Sequence, residues 1–134
     1  MAPNLKELSL RRLQISDQSV AEIFSHTEHL ERLDISECVN VGKKALLKGL
    51  EVFGSNLKFL QASSLYEAVD DEVVTTIANL EEPQLEFLDL SFSKLVTDEG
   101  LQAFEGKTFK IEHLCLNGLS SITSKGLCHP ILAC

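Results

Sequence analysis

The 134-residue chain has no tryptophan, a single tyrosine and far fewer basic than acidic residues. With 12 Lys and Arg against 20 Asp and Glu, its formal net charge is −8. Binding to a nucleic-acid backbone requires clustered Lys and Arg, which release the counterions of the phosphates. The composition therefore argues against a nucleic-acid partner and is compatible with a neutral or basic protein partner.

Long apolar runs are missing as well. No stretch approaches the ~18 apolar residues that a membrane helix needs, so we expect no membrane partner. The first residues, Met1-Ala2-Pro3-Asn4, do not have the charged segment and apolar segment of a secretory signal. We therefore expect an intracellular protein, cytoplasmic or nuclear, with one domain over residues 1–134.

The four cysteines do not form the pattern of a disulfide framework or a metal site. Cys38, Cys115, Cys128 and Cys134 are widely spread, and in a reducing compartment we expect free thiols. Cys128-His129 with Cys134 could start a metal site, but structural zinc takes four ligands in two close pairs. A second pair is missing, so we expect neither a metal nor another cofactor.

What the chain has in abundance is leucine, with 23 residues in a regular array. A motif L-x-x-L-x-L starts at residues 5, 30, 57, 85 and 111, at separations of 25, 27, 28 and 26. Repeats of ~20–29 residues with this motif are typical of one class of solenoid. The motifs are Leu5-Leu8-Leu10, Leu30-Leu33-Ile35, Leu57-Leu60-Ala62, Leu85-Leu88-Leu90 and Ile111-Leu114-Leu116.

Each motif predicts a short strand, in which alternate side chains face opposite ways. In the first, Leu8 and Leu10 should point inward and Ser9 outward. One further buried position, here called the turn ladder, is expected three residues after each strand motif: Leu13, Cys38, Leu65, Ser93 and Leu119. In this register Cys38 is protected, and Cys115, on the outward face, is expected to be the most reactive thiol.

A polar turn and a helix are predicted after each strand. The turns carry N-cap residues, namely Ser16-Asp17, Asp70-Asp71, Thr97-Asp98 and Thr123-Ser124. The helices have apolar residues at helical spacing: Val20, Ile23 and Phe24; Ala45, Leu46, Gly49 and Leu50; Val73, Val74 and Ile77; and Leu101 and Phe104. Because one repeat cannot bury its own apolar face, the five should stack, strand on strand and helix on helix.

Two segments identify the repeat more closely. Residues 93–101, SKLVTDEGL, and 119–127, LSSITSKGL, resemble the cysteine-containing subtype of leucine-rich repeat, whose pattern is L-x-x-L-x-L-x-x-C-x-x-I-T-D-x-G-L. This subtype is typical of the substrate-recognition arrays of F-box proteins and of the related mitotic-exit antagonist and excision-repair families. The resemblance implies an α/β solenoid, a right-handed horseshoe arc with a parallel concave sheet, and a role in substrate recognition for a ubiquitin ligase.

The outward residues of the strands form the candidate binding site. Neighbouring parallel strands lie ~4.8 Å apart, so Phe59 and Phe87 should be adjacent on the concave face, with Phe92 just beyond. Aromatic residues beside an arginine are typical of binding hot spots, although exposed apolar residues are also common in isolation. The predicted protein-binding residues are Arg32, Asp34, Phe59, Gln61, Phe87, Asp89, Phe92 and His113.

The sequence also bears on two other functional classes, an enzyme and a scaffold. Catalysis is not expected, because Asp34 and Asp89 should lie about 10 Å apart, beyond the ~5 Å of retaining glycosidases, and no third group orients His113. A scaffold or assembly subunit is the stronger alternative. Neither end shows the polar cap of a solenoid, so end-to-end association through the termini is expected if the chain is a fragment or a subunit. A complete small protein with improvised caps is the other possibility.

Overall fold

A computed structural model describes residues 4–107 and 109–127. Five strands of three residues form one parallel sheet in chain order. They are β1 (Glu7–Ser9), β2 (Arg32–Asp34), β3 (Phe59–Gln61), β4 (Phe87–Asp89) and β5 (His113–Cys115). All four pairings are parallel, and the middle residues Leu8, Leu33, Leu60, Leu88 and Leu114 lie opposite one another. The five predicted strands and their register are confirmed.

A helix follows each strand and packs on the helices of the neighbouring repeats. The helices are α1 (Asp17–Phe24), α2 (Lys43–Phe53), α3 (Asp71–Ala78), α4 (Asp98–Gln102) and α5 (Ser124–Leu127), with a 3-10 turn, Gly54–Asn56, after α2. The predicted apolar helix residues are buried, apart from the half-buried Ile23. Ser16, Asp70 and Thr97 accept the predicted N-cap hydrogen bonds from the first turns of α1, α3 and α4.

The turn ladder is buried in four of its five positions. Cys38, Leu65, Ser93 and Leu119 are at most 7% exposed, but Leu13 is 49% exposed, so its predicted burial is wrong. Among the described residues Leu13 lies in the first turn of the stack and has an equivalent turn, that of Cys38, on one side only. This position alone does not decide its exposure, because Leu119 in the last described turn is only 7% exposed.

The residue before each ladder position has a left-handed backbone. The φ angles are 65° at Arg12, 62° at Glu37, 58° at Ser64, 65° at Phe92 and 70° at Gly118. This conformation turns the chain out of the strand in every repeat, and only glycine adopts it without steric cost. Four of the five repeats therefore place a side chain where glycine would be less strained.

Carboxylates from one repeat hold the start of the next helix. Asp17 accepts hydrogen bonds from the backbone of Gly42 (2.7 Å) and Ala45 (3.2 Å), which compensates for the missing side-chain cap of α2. At the equivalent position α2 has Lys43, whose ammonium lies 3.0 Å from Asp70 and 2.7 Å from Glu72. The helices are thus linked through side chains as well as through apolar packing.

The same carboxylate link is repeated toward the other end of the sheet. Asp71 accepts from the amide (2.7 Å) and the hydroxyl (2.5 Å) of Thr97. Asp98 accepts from the amide (2.8 Å) and the hydroxyl (2.6 Å) of Thr123. These bonds give a structural reason for the Thr-Asp pair in the repeat pattern.

In the part of the chain that the structure describes, no helix is both long and apolar enough to cross a membrane. The Cys128-His129 pair and Cys134 lie outside the described residues.

Candidate protein-binding face

The first residues of the five strands, which hold the third position of each L-x-x-L-x-L motif, form one continuous row across the outer face of the sheet. Phe59 and Phe87 are register partners whose rings are stacked, with centroids 6.1 Å apart and planes inclined by 29°. The imidazole of His113 continues the row, with its centroid 6.0 Å from that of Phe87. On the other side the guanidinium carbon of Arg32 lies 3.8 Å from the centroid of Phe59.

These four side chains, Arg32, Phe59, Phe87 and His113, are called the aromatic row below. Arg32 and His113 are exposed and the two phenylalanines are half-buried, because neighbouring members of the row cover part of each ring. Arg32 is also paired with Glu7, at 3.3 Å from Nε to Oε1. The predicted adjacency of Phe59 and Phe87 is confirmed, while their role in binding stays a prediction.

The last residues of the five strands, at the fifth position of each motif, form a second, more polar row beside the first. It consists of Ser9, Asp34, Gln61, Asp89 and Cys115 in sheet register. Asp34 and Asp89 both accept a hydrogen bond, at 2.9 Å, from the amide of the serine two residues later. Both carboxylates therefore have a structural task at the end of a strand, in addition to the binding role that we predict for them.

The serines that follow these aspartates extend the same network into the next repeat. The hydroxyl of Ser36 accepts from the amide of Ser63, and that of Ser91 accepts from the amide of Asn117, each at 3.2 Å. The motif Asp-x-Ser thus fixes the end of a strand against its neighbour in the second and fourth repeats. No signal in the L-x-x-L-x-L motif indicates this network.

Phe92 is exposed beyond the carboxyl end of β4, as predicted. Its backbone has the left-handed φ of 65°, and its ring lies against Gly118, where a Cβ atom would collide with the ring. A bulky residue with positive φ is uncommon and strained, and it persists only where its surroundings hold it in place. Here the amide of Phe92 donates to the carbonyl of Asn117 at 2.7 Å, which holds the turn.

The two described thiols differ as the register predicts. Cys38 is fully buried and donates to the carbonyl of Leu10 at 2.8 Å, and burial raises its pKa. Cys115 is half-buried on the outer face. Burial raises the pKa of Cys115 too, and the charge of Asp89 adds to this increase. Cys115 is therefore the more accessible thiol, but its surroundings do not activate it as a nucleophile.

Ionisable groups on this face are not arranged for metal binding. Within residues 4–107 and 109–127, no three His, Cys, Asp or Glu side chains are grouped so that they could hold a metal ion. A depression of about 740 Å³ lies between α1 and α2, away from the sheet face. The outer face is an open surface that offers aromatic rings, carboxylates and one paired arginine.

A second apolar surface was missed by sequence reasoning. The large apolar side chains that are clearly exposed among the described residues all lie in the turns after the strands: Leu13, Val39, Tyr66, Phe92 and Leu95. We call this surface the turn edge. Only Phe92 was predicted to take part in binding. The signal that could have found Val39, Tyr66 and Leu95 is their position just after the turn ladder, where the repeat pattern demands no apolar residue. Leu13 lies on the ladder itself, where burial was predicted.

Comparisons with known proteins bear on the fold first. The family model described as a Leucine Rich repeat matches residues 83–104. In the crystal structure of Rad7 and Elc1 in yeast, one chain is similar over 92% of this chain and 30% of its own, with a TM-score of 0.75 and 23% identity. The fold is a leucine-rich-repeat solenoid. At this identity the structural similarity shows the fold alone.

A sequence relative points in the same direction. The DNA repair protein rhp7 of Schizosaccharomyces pombe is 29% identical over 118 residues, which are 85% of this chain and 21% of the relative. The chain thus spans about a fifth of the curated relative that it matches. The leucine-rich-repeat character of the sequence is confirmed; the F-box-type subtype remains a proposal.

Proposed function

We propose that this leucine-rich-repeat chain is a non-enzymatic protein-binding module that holds a partner polypeptide on the outer sheet face. The observation that carries the proposal is the aromatic row, in which Phe59 and Phe87 stack between Arg32 and His113. Aromatic and arginine side chains dominate the binding energy of many interfaces. The row fixes its rings through sheet register, so little side-chain freedom is lost on binding.

The extent of the face limits how tightly it binds alone. Five strands at ~4.8 Å spacing make it roughly 20–25 Å wide, less than is needed for the ~800 Å² per partner of a standard stable interface. The turn edge adjoins the carboxyl ends of the strands and carries exposed apolar groups. We therefore propose that a tightly held partner also covers part of this edge, beginning at Phe92.

The finer proposal is substrate recognition for a ubiquitin ligase, in an intracellular setting. It rests on the resemblance of residues 93–101 and 119–127 to F-box-type repeats. The structure of Rad7 with Elc1 and the name of the DNA repair protein rhp7 support a role in an intracellular protein assembly. An assembly of this kind is equally compatible with the second candidate, a scaffold or assembly subunit that binds through the ends of its stack.

Photo-crosslinking distinguishes a partner on the sheet face from one elsewhere. A photoreactive amino acid replaces Gln61 in the second row, and in a control it replaces the exposed Glu51 of α2 on the helix side. We expect crosslinks to a cellular partner from position 61 and few from position 51. The reverse pattern would place the partner on the helix side and contradict binding at the sheet face.

A double substitution measures the contribution of the rings. Phe59→Ala with Phe87→Ala should weaken binding of the crosslinked partner by about 2 kcal/mol or more, roughly 30-fold. Tyr66→Ala with Leu95→Ala, on the turn edge, is the matched control and should weaken it less. Because the two rings are half-buried, we expect the Phe pair to lower the free energy of unfolding by only ~1 kcal/mol. Binding that survives the Phe pair in a folded protein contradicts the proposal.

A further inference from the structure

The two aspartates of the outer face have the same position in their repeats but different surroundings. Asp34 has a cation from its own chain, because a guanidinium nitrogen of Arg11 lies 3.6 Å from its Oδ2. For Asp89, no Lys, Arg or His of the described residues lies within 4.0 Å of the carboxylate. One oxygen of Asp89 accepts from the amide of Ser91, and the other has no protein donor in the described part of the chain.

The repeat pattern explains why the cation is missing. Arg11 directly precedes the left-handed residue Arg12 of the first repeat, and Ser63 directly precedes the left-handed residue Ser64 of the third. Arg11 and Ser63 therefore have the same position in their repeats. Arg11 reaches the aspartate of the following repeat, Asp34. The serine at the corresponding position cannot reach Asp89.

Asp89 also lies within the apolar part of the face. Its register partners are the uncharged Gln61 and Cys115, and Phe87 precedes it by two residues on the same face of β4. Phe92 follows at the end of the same strand and is exposed. The Asp89 carboxylate, which has no cation beside it, thus lies between Phe87 and Phe92 in the chain. Its Cα is about 7 Å from that of Phe87 along the strand.

We propose that the outer face binds a polypeptide segment in which a lysine or arginine stands next to a large apolar residue. This inference rests on the proposed function and specifies its partner. The apolar side chain packs on Phe59 and Phe87, and the cation pairs with Asp89 as Arg11 pairs with Asp34. The net charge of −8 favours approach of such a basic segment. The arginine of the face, Arg32, does not oppose it strongly, because Glu7 neutralises that charge.

Peptide selection on the intact chain tests the proposal. An unbiased display library of twelve-residue peptides is selected on the wild-type chain and on the variants Asp89→Asn and Asp34→Asn. Asparagine keeps the oxygen that accepts from the following serine amide, so both variants should fold. We expect enriched peptides to pair Lys or Arg with an apolar residue, and we expect this preference to disappear with Asp89→Asn and to remain with Asp34→Asn.

Direct binding of the most enriched peptide gives the size of the effect. Asp89→Asn should weaken its affinity roughly two- to fivefold at low salt, as for an exposed ion pair, and reduce the dependence of the affinity on salt. Ser63→Arg, which places a cation of the chain itself beside Asp89, should weaken the same peptide. A control peptide, in which Gln replaces the Lys or Arg, should bind Asp89→Asn and Ser63→Arg with the same affinity as it binds the wild-type chain.

The outcomes separate this inference from the proposed function. Peptides that are lost with Phe59→Ala and Phe87→Ala, but show no Lys or Arg preference, would overturn the inference and leave the binding face in place. An unchanged preference for basic residues on Asp89→Asn would also overturn it. If no selected peptide lost affinity with Phe59→Ala and Phe87→Ala, both the inference and the proposed function would be contradicted.

Discussion

Two serines in the fourth repeat show how much depends on a single hydroxyl. Ser91 and Ser93 are both buried, 4% and 0% exposed. The hydroxyl of Ser91 accepts from the amide of Asn117 at 3.2 Å, whereas that of Ser93 has no hydrogen-bond partner in the described part of the chain. Ser93 occupies the turn ladder, where the other repeats have Leu or Cys. Burying an unpaired hydroxyl costs about 1–3 kcal/mol.

We therefore predict opposite effects for the two alanine substitutions. Ser93→Ala removes the unpaired group with little loss of volume and should raise the free energy of unfolding by about 1 kcal/mol. Ser91→Ala leaves the Asn117 amide without its acceptor and should lower it by a similar amount. Urea denaturation of both variants beside the wild type measures the difference. Equal effects of the two substitutions would show that the Ser93 hydroxyl is satisfied in solution.

At the scale of helices and strands, an aspartate in the first turn of α1, α3 and α4 holds the start of the following helix. The carboxylate of Asp71 reaches the start of α4 and lies against Gly100, where a Cβ atom would collide with it. Glycine is needed here for close approach, although it weakens a helix by about 1 kcal/mol relative to alanine. Alanine, which is the better helix former, is thus excluded at position 100 by the contact with Asp71.

Gly100→Ala should for this reason destabilise the protein. The new methyl group displaces Asp71 from the amide and hydroxyl of Thr97, and we expect a net loss of about 1–3 kcal/mol. Gly42→Ala is the control, since its Cβ would lie 3.3 Å from the flexible carboxylate of Asp17, and it should change stability less. Thermal unfolding compares them. If Gly100→Ala were as stable as the wild type, helix propensity would outweigh the carboxylate link.

The carboxylate links also predict a response to acid. The hydroxyl and amide of Thr123 lower the pKa of Asp98, against the opposing effect of burial. Burial raises the pKa of Asp70, but the hydrogen bonds from Lys43 and Val73 outweigh it, so that this pKa is lowered as well. A carboxyl whose pKa is lower in the folded state stabilises the fold above its unfolded pKa of about 4. That stabilisation is lost as the pH falls through the folded pKa.

We expect the urea concentration at the midpoint of unfolding to stay nearly constant between pH 7 and about pH 5. Below about pH 4 it should decrease, because these carboxylates become protonated. Asp98→Asn should be less stable than the wild type at pH 7, and the difference between them should shrink at pH 3. The control is Glu99→Gln, at an exposed neighbouring position. If the stability difference between Asp98→Asn and the wild type stayed the same at pH 7 and pH 3, the charge of Asp98 would not contribute to the bond with Thr123.

At the scale of the whole molecule, the leucine spacing predicted the fold because a slip of one residue would turn every strand leucine to solvent. The same register predicted the adjacency of Phe59 and Phe87. It did not predict the exposure of Leu13. It also did not predict the Arg11–Asp34 pair, which depends on how far a side chain reaches between repeats. The apolar turn edge was missed because the motif leaves most of its positions unconstrained.

The stacked architecture makes a last prediction about the distribution of stability. The amides of Leu10, Ile35, Ala62 and Leu90 each donate to the strand of the following repeat, at 2.8, 2.9, 2.9 and 3.0 Å. These bonds are equivalent in length, so differences in exchange must come from how well the flanking repeats are covered. Each repeat contacts only its neighbours, and the strand leucines Leu33, Leu60 and Leu88 are buried while Leu8 and Leu114 are half-buried.

Native-state hydrogen exchange should therefore be slowest at Ile35 and Ala62, faster at Leu90, whose acceptor lies on the edge strand β5, and fastest at Leu10. Leu60→Ala, in the centre of the stack, should cost about 2–5 kcal/mol and speed the exchange of all four amides. Leu114→Ala should mainly affect Leu90, because local opening at the edge of a solenoid need not unfold the centre. Uniform exchange at the four positions, changed equally by both substitutions, would mean that the five repeats unfold as one cooperative unit.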